Sequence, residues 1–425
     1  MLIIKTLTNG LQRLSASFPW IAGQLVNEGS GQGNSDIFSI RPLKETPRLV
    51  VKELAHDSSI PTMDTLKRAN FPISMLDESI IAPRKTLPAG ESASDPAPVF
   101  LIQANFITGG LILTFVGQHN TMDMTGQGNI IHLFSKACRS EPFTDDELLY
   151  SNLARRNIIP LLDRSYKPGS ELAYQMVQPA PSHPISKESN EHPAPPPPSN
   201  CTWTYFTFDP TSLSTLKSLA TKSITIPSRY ISTDDALSAF IWQSVIRARL
   251  TRLSPTSKST LARAVNVRQY LGISQLYTGL IQNMTYSTYT LQELAEEPLG
   301  LIASQLRSAL DPKTSNLEYN TRALATVLDR ATDKNIVNFT ATIDLSEDLM
   351  LSSWAKLNCY ELDFNLGLGK PEAVRRPRFE PVESLVYLMP RALDGEIGVA
   401  ICLRDDDLER LRADKDFARY GKYVG

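Results

Sequence analysis

The hydrophobic positions of this chain change period several times, and each change marks an element. Leu7, Leu11, Leu14 and Phe18 recur every three or four residues, so the spacing predicts an amphipathic helix over the opening residues. No capping residue precedes it, so the chain is expected to start inside an element, either as a shortened form or as a natural helix that frays. "FPWIAGQLV" (18–26) reads as a strand entered through Pro19, and the Gly/Ser-rich stretch 27–36 as a turn. Strands are predicted at "RLVVKEL" (48–54) and in "PVFLIQANFI" and "GLILTFV", which fold back on each other at Thr108-Gly109-Gly110. A helical period returns from Thr125 to Cys138, with Ile130, Ile131, Leu133 and Phe134 as its buried stripe.

All periodicity is lost in "QPAPSHPISKESNEHPAPPPPSN" (178–200). Eight of the chain's 29 prolines fall here, which makes the segment an extended, partly stiff linker between domains. Beyond it, "CTWTYFTF" (201–208) alternates as a strand and a helix covers about 210–222. "STDDALSAFIWQSVIRARL" (232–250) is a helix with Ser232 as N-cap and Asp235 completing an acidic capping box. A helix at about 291–310, a strand at "IVNFTATID" (336–344) and a hairpin over 386–403, turning at Asp394-Gly395, follow. A charged amphipathic helix ends the chain. Both halves mix strands with helices, so the class is α+β in two domains, 1–177 and 201–425.

Composition narrows the function. At 425 residues the chain exceeds one ordinary core, and 42% hydrophobic with 21% charged residues is the balance of a soluble globular protein. A formal net charge of −2 without a long basic run argues against nucleic acid as a partner. Cys138, Cys201, Cys359 and Cys402 are too far apart for a disulfide framework or a zinc site, which suits the reducing cytoplasm. The most apolar window, 100–117, is interrupted by Gln103, Asn105 and the glycine pair, so no membrane span is expected. Nor does the N-terminus show the basic and apolar regions of a signal peptide.

One stretch carries candidate chemistry. In "GQHNTMDMTG" (117–126), His119 follows a buried strand, and a helix begins a few residues past Asp123. A histidine on such a loop can serve as a general base near neutral pH. Asp123 either fixes the imidazole tautomer or braces the loop through an arginine. No G-x-S-x-G supplies a serine nucleophile, and no second His/Asp/Glu cluster supports a metal site. The plain alternative is a loop histidine without a catalytic role. His56, His132, His183 and His192 have no partner at useful spacing.

A second segment, "SSWAKLNCYELDFNLGLGKPEAVRRP" (352–377), changes the weighing. "HNTMD" (119–123) paired with "DFNLGLGKPE" (363–372) resembles the BAHD acyltransferases, in the fungal branch typified by trichothecene 3-O-acetyltransferase. "LQRLSASFPWIAGQL", "STDDALSAFIWQSVIRAR", "ARAVNVRQYLG", "YTGLIQNMTY" and "LERLRADKDFARYGKYV" resemble the same branch in the same order, so the likeness covers essentially the whole chain.

The resemblance implies two chloramphenicol-acetyltransferase-like domains with a tunnel between them, joined by a crossover at 178–200. It implies acyl-CoA as co-substrate, no metal, a small-molecule alcohol or amine as acceptor, and a monomer. His119 matches the family's catalytic histidine and Asp123 its structural aspartate. Asp363, Phe364, Gly367 and Gly369 match the "DFGWG" element, with Asn365 and Leu366 where the family has Gly and Trp. Arg268 is expected to pair with Asp123 or Asp363. Asn283 is the oxyanion candidate, and Lys258 the candidate for a CoA phosphate. Family members carry a further strand before the first helix, and its absence raises a second reading, a catalytically silent relative. A carrier-protein-dependent condensation domain is a third, disfavoured because Gln118 stands where those domains double the histidine.

Overall fold

The computed structural model describes residues 2–29, 37–43, 48–87, 97–178, 200–224 and 230–425. Apart from its two end residues, the proline-rich segment lies outside the described residues, as does most of the turn read at 27–36. Helix α1 (Leu2–Ser17) turns Leu7, Leu11 and Leu14 inward, and Phe18 is buried just past its end. Pro19–Ala22 form a 3-10 turn instead of the start of a strand, because proline's fixed φ suits a first helical position. The strand β1 (Gly23–Glu28) therefore begins later, and pairs antiparallel with β2 (Ile37–Pro42).

β3 (Leu49–Glu53) is followed by two short helices, α2 (Met63–Arg68) and α3 (Glu78–Ile81). It lies parallel to β4 (Phe100–Ile107), which pairs antiparallel with β5 (Gly110–Gly117) through the turn read from the glycine pair. Helix α4 (Met124–Cys138) packs Ile130, Ile131, Leu133 and Phe134 against α1 and this sheet, and α5 (Asp145–Ser151) follows.

The second half opens with β6 (Cys201–Phe208), α6 (Pro210–Lys222) and α7 (Thr233–Arg249). The capping box at the start of α7 is made as expected, Ser232 Oγ accepting from Asp235 N–H at 3.1 Å and Asp235 from Ser232 N–H at 2.9 Å. Next come β7 (Lys258–Asn266) and β8 (Gln282–Thr290). The helix expected at 291–310 is two, α8 (Leu291–Glu296) and α9 (Leu299–Ser308). Pro298 forces Glu297 into an extended conformation and breaks the run.

α10 (Leu317–Arg330) leads to the strand expected at 336–344, which is absent. Asn338 and Asp344 accept hydrogen bonds from the backbone two residues on and curl the segment into turns. The strand there is β9 (Leu349–Ser353). The expected hairpin pairs β10 (Leu385–Leu388) with β11 (Ile397–Arg404), across a loop that turns at Asp394-Gly395. α11 (Asp405–Ala413), α12 (Lys415–Tyr420) and the two-residue β12 (Lys422–Tyr423) finish the chain.

All seven strands of the larger sheet come from this half, in the order β12-β6-β11-β10-β9-β7-β8. Helix α7, buried on nearly every face, lies on it among α6, α8, α9 and α11. Two of the apolar contacts between the halves exchange segments. Leu362 and Phe364 insert into the core of α1, β4 and α4, while Leu162, Tyr166, Leu172 and Met176 pack against α10. The first half thus hands its last residues to the second and receives a loop in return.

Candidate active site

His119 stands on a turn between the end of β5 and the start of α4, exposed to solvent. Gln118 anchors the turn: its N–H donates to Val99 O at 2.9 Å, its carbonyl accepts from Thr121 N–H at 2.8 Å and Thr121 Oγ at 2.7 Å, and its Oε1 accepts from Arg84 Nη1 at 2.6 Å. Thr121, Met122 and Asp123 are buried behind it. The imidazole is thus presented on a loop whose flanks are fixed.

Asp123 is the N-cap of α4, its Oδ1 accepting from Gly126 N–H at 2.8 Å. The same carboxylate meets a two-pronged fork from the second half, Arg268 Nη1 at 2.8 Å from Oδ2 and Nη2 at 3.0 Å from Oδ1. Ile281 N–H adds a further bond to Oδ2 at 2.7 Å. Arg268 is fully buried, and its remaining donors go to Tyr277 O at 3.0 Å, Asn266 Oδ1 at 3.1 Å and Gly279 O at 2.6 Å. A buried guanidinium whose three nitrogens all find acceptors, facing a bidentate carboxylate, fixes both groups in place. Asp123 therefore faces Arg268 and the helix, not His119. It braces the loop.

The halves also approach closely at Gly126. A Cβ placed there would lie 2.3 Å from Thr278 O, so only glycine lets the first turn of α4 sit on the 277–279 backbone. Two glycines within the predicted helix, Gly126 and Gly128, were the available signal for this contact.

Asp363 does not meet Arg268. Its Oδ1 caps its own loop, accepting from Asn365 N–H at 2.7 Å, and its carbonyl accepts from Arg139 just past the C-terminus of α4. The fifteen-residue α4 runs from the turn of the first motif to Arg139, which holds the second. Phe364 stacks on Phe115 (5.7 Å between centroids) and tilts against Phe134 (5.8 Å), so the second motif is a plug in the first core. Asn365 has φ +56°, and Gly367 and Gly369 have φ +75° and +76°. Asparagine is among the few L-residues that settle in this left-handed region, which accounts for its standing in a glycine position.

The remaining expectations fare differently. Asn283 is buried on β8, where its Oδ1 accepts from Gln175 Nε2 at 2.7 Å and Met284 N–H at 2.8 Å while its Nδ2 donates to Thr321 Oγ at 3.0 Å. This amide ties β8 to α10, with its oxygen and one of its amide hydrogens engaged by these partners. Lys258 opens β7 on the exposed surface opposite Thr290, and the structure does not join it to the motif loop. His132 has a neighbour the sequence did not reveal, Glu147 at 3.7 Å, though Lys136 holds that carboxylate at 2.6 Å. Among the described residues no group of three or more His, Cys, Asp or Glu could hold a metal ion, and no helix is long and apolar enough to cross a membrane.

Comparison with known proteins gives this geometry its family. Residues 1–138 match the model of the trichothecene 3-O-acetyltransferase-like N-terminal domain, and residues 81–418 that of the Transferase family. The O-acetyltransferase dmxR13 of Cryptosporiopsis sp. is 59% identical, over 100% of this chain and 91% of that protein. A trichothecene 3-O-acetyltransferase of Saccharomyces cerevisiae is 49% identical, over 100% and 89% respectively. The crystal structure of F. sporotrichioides TRI101 complexed with coenzyme A and T-2 superposes with a TM-score of 0.92 at 50% identity, covering 100% of this chain and 92% of that one. The chain belongs to the Transferase family of acyl-CoA-dependent O-acyltransferases, in the branch defined by the trichothecene 3-O-acetyltransferase-like N-terminal domain.

Proposed function

We propose that this O-acyltransferase moves an acetyl group from acetyl-CoA to a hydroxyl of a small secondary metabolite, with His119 as the general base. The imidazole takes the proton of the acceptor hydroxyl as its oxygen attacks the thioester carbonyl. When the tetrahedral intermediate collapses, the C–S bond breaks and the imidazolium returns the proton to the departing thiolate, giving free CoA and the ester. Asp123 and Arg268 take no proton in this scheme; they fix the turn from which His119 reaches the acceptor. The observation that carries the reading is the exposed histidine on a turn clamped from both halves of the chain. Relatives named O-acetyltransferases, and a neighbour crystallised with coenzyme A and T-2, support the donor and the hydroxyl acceptor. An amine would suit the same base.

The two halves, divided at 178–200, form the two walls of the site in this reading, and the protein works as a monomer in the cytoplasm. The unbridged thiols of Cys138, Cys359 and Cys402 accord with that compartment.

The test is thiol release from acetyl-CoA by wild type and His119→Ala, with and without a panel of fungal alcohols. Loss of a general base is expected to lower the rate by about 10²–10⁴-fold. Because His119 is exposed, the melting temperature should hardly move. Equal release by the two proteins would remove His119 from the mechanism.

A further inference from the structure

A tetrahedral intermediate on the thioester carbon carries a negative oxygen, and a donor must stand ready for it beside the base. The motif turn and the helix behind it leave few donors uncommitted. Gln118 N–H is bonded to Val99 O, and Thr121 gives both its N–H and its hydroxyl to Gln118 O. Asp123 is held in the Arg268 fork, and Gln127 Nε2 donates to Phe115 O at 3.2 Å. Asn120 is exposed, with no hydrogen bond among the described residues to hold its amide in one direction.

The side chain of Gln118 differs. Its Oε1 accepts from Arg84 Nη1 at 2.6 Å. A guanidinium only donates, so this contact fixes which end of the amide faces Arg84 and turns the NH₂ the other way. Nε2 meets no protein acceptor among the described residues, and it is not sealed from solvent. The segment that carries Arg84 is itself tied down, Thr86 donating its N–H and hydroxyl to buried Glu78 at 2.9 and 2.8 Å. A cation on the oxygen end of an amide polarises it and strengthens its N–H as a donor. Gln118 and His119 are the first two residues of one β-turn, closed by the 2.8 Å bond from Thr121 N–H to Gln118 O. The amide is thus fixed, uncommitted and one residue from the base.

We infer, on the reading of His119 as the base, that Gln118 Nε2 is the oxyanion donor. As the acceptor oxygen attacks, the thioester C=O opens to a single bond bearing the negative charge, and the Gln118 N–H donates to that oxygen. When the C–S bond breaks, the carbonyl reforms; Gln118 neither gains nor loses a proton. Arg84 is a positioning residue that acts through Gln118.

Gln118→Glu tests this, because it keeps an oxygen for Arg84 and replaces the N–H donor with a second oxygen. Hydrolysis of acetyl-CoA, followed as thiol release with water as the acceptor, needs no further substrate. Gln118→Glu should lower kcat by about 10²–10³-fold, the loss usual for one oxyanion donor, with KM for acetyl-CoA and the melting temperature hardly changed. Gln118→Met, with neither oxygen nor N–H, should lose kcat less severely, since it brings no charge to repel the oxyanion. A side chain that only braced the turn would give the reverse order, Gln118→Glu active through an ion pair with Arg84 and Gln118→Met impaired. That order would overturn the inference, as would wild-type kcat in both variants. His119→Ala runs beside them. Thiol release equal to wild type in His119→Ala takes down the base and the donor together, whereas an inactive His119→Ala beside an active Gln118→Glu removes the donor alone.

Discussion

Replacing Asp123 by asparagine would keep an acceptor for Gly126 N–H but strip the counter-charge from a fully buried guanidinium. Breaking such a pair from one side typically costs about 3–5 kcal/mol, because the remaining charge is left without a partner in a dry site. Urea unfolding of Asp123→Asn should show a loss of that size, with activity falling alongside it. A midpoint unchanged from wild type would mean that Arg268 is satisfied by the Tyr277 and Gly279 carbonyls alone. At this scale the sequence was partly legible. H-x-x-x-D at a strand–helix junction singled out His119 and Asp123, and the resemblance of "NVRQYLG" to the family singled out Arg268. Arg139, Ile281 N–H and Arg84 were not legible, because each reaches the site through tertiary contacts that no local pattern encodes.

Helix α4 links the two motifs, with the His119 turn at its start and the Phe364 plug beside its far end. Gly126→Ala tests the near end. The added methyl would collide with backbone, not with a side chain able to swing away, so α4 must back off from 277–279 and loosen the Arg268 fork. Activity is expected to drop at least tenfold, while Arg139 and Phe364 at the far end keep the helix docked. If Gly126→Ala turned over like wild type, the close approach would not be needed for catalysis. Elements with a clean period were read correctly, among them α1, α4, α6, α7 and the β4–β5 pair. The misreadings fell where a local device outweighed the period, as Pro298 did in cutting one helix into two and as the side-chain turns at Asn338 and Asp344 did in replacing a strand.

Across the molecule, much of the buried charge among the described residues gathers in knots. Besides Asp123–Arg268, Asp235 joins Arg263 and Arg307, and Asp407 joins Arg249, Arg252 and Arg410. Burial alone would raise the carboxyl pKa of Asp407, but the hydrogen bonds from Arg252 and Arg410 and the charge of Arg249 outweigh it and set it below the usual range. Asp235 is depressed in the same sense, burial being overcome by Arg263, Ser232 and Arg307. A carboxylate depressed in the folded state stabilises fully above its unfolded value of about 4, and that stability is lost as pH falls through the folded value. Urea midpoints should therefore be insensitive to these groups from pH 5 to 7 and fall steeply below about pH 4. Asp407→Asn should be weaker at neutral pH with a shallower acid slope; matching slopes would show that the knot does not titrate with folding. The two-part organisation was legible in the proline-rich break, but the exchange of segments between the parts was not, since Phe364 and Leu172 look like ordinary core residues of their own halves.

That exchange has a consequence for synthesis. A ribosome that has made the first two hundred residues has already released His119 and Asp123, yet the guanidinium that braces their loop is encoded some seventy residues later, and Ile281 N–H later still. A half-made chain thus carries the histidine without the scaffold that aims it. Its capacity to consume acyl-CoA should switch on only after translation has passed the second half's strands and the Phe364 loop has closed on α4.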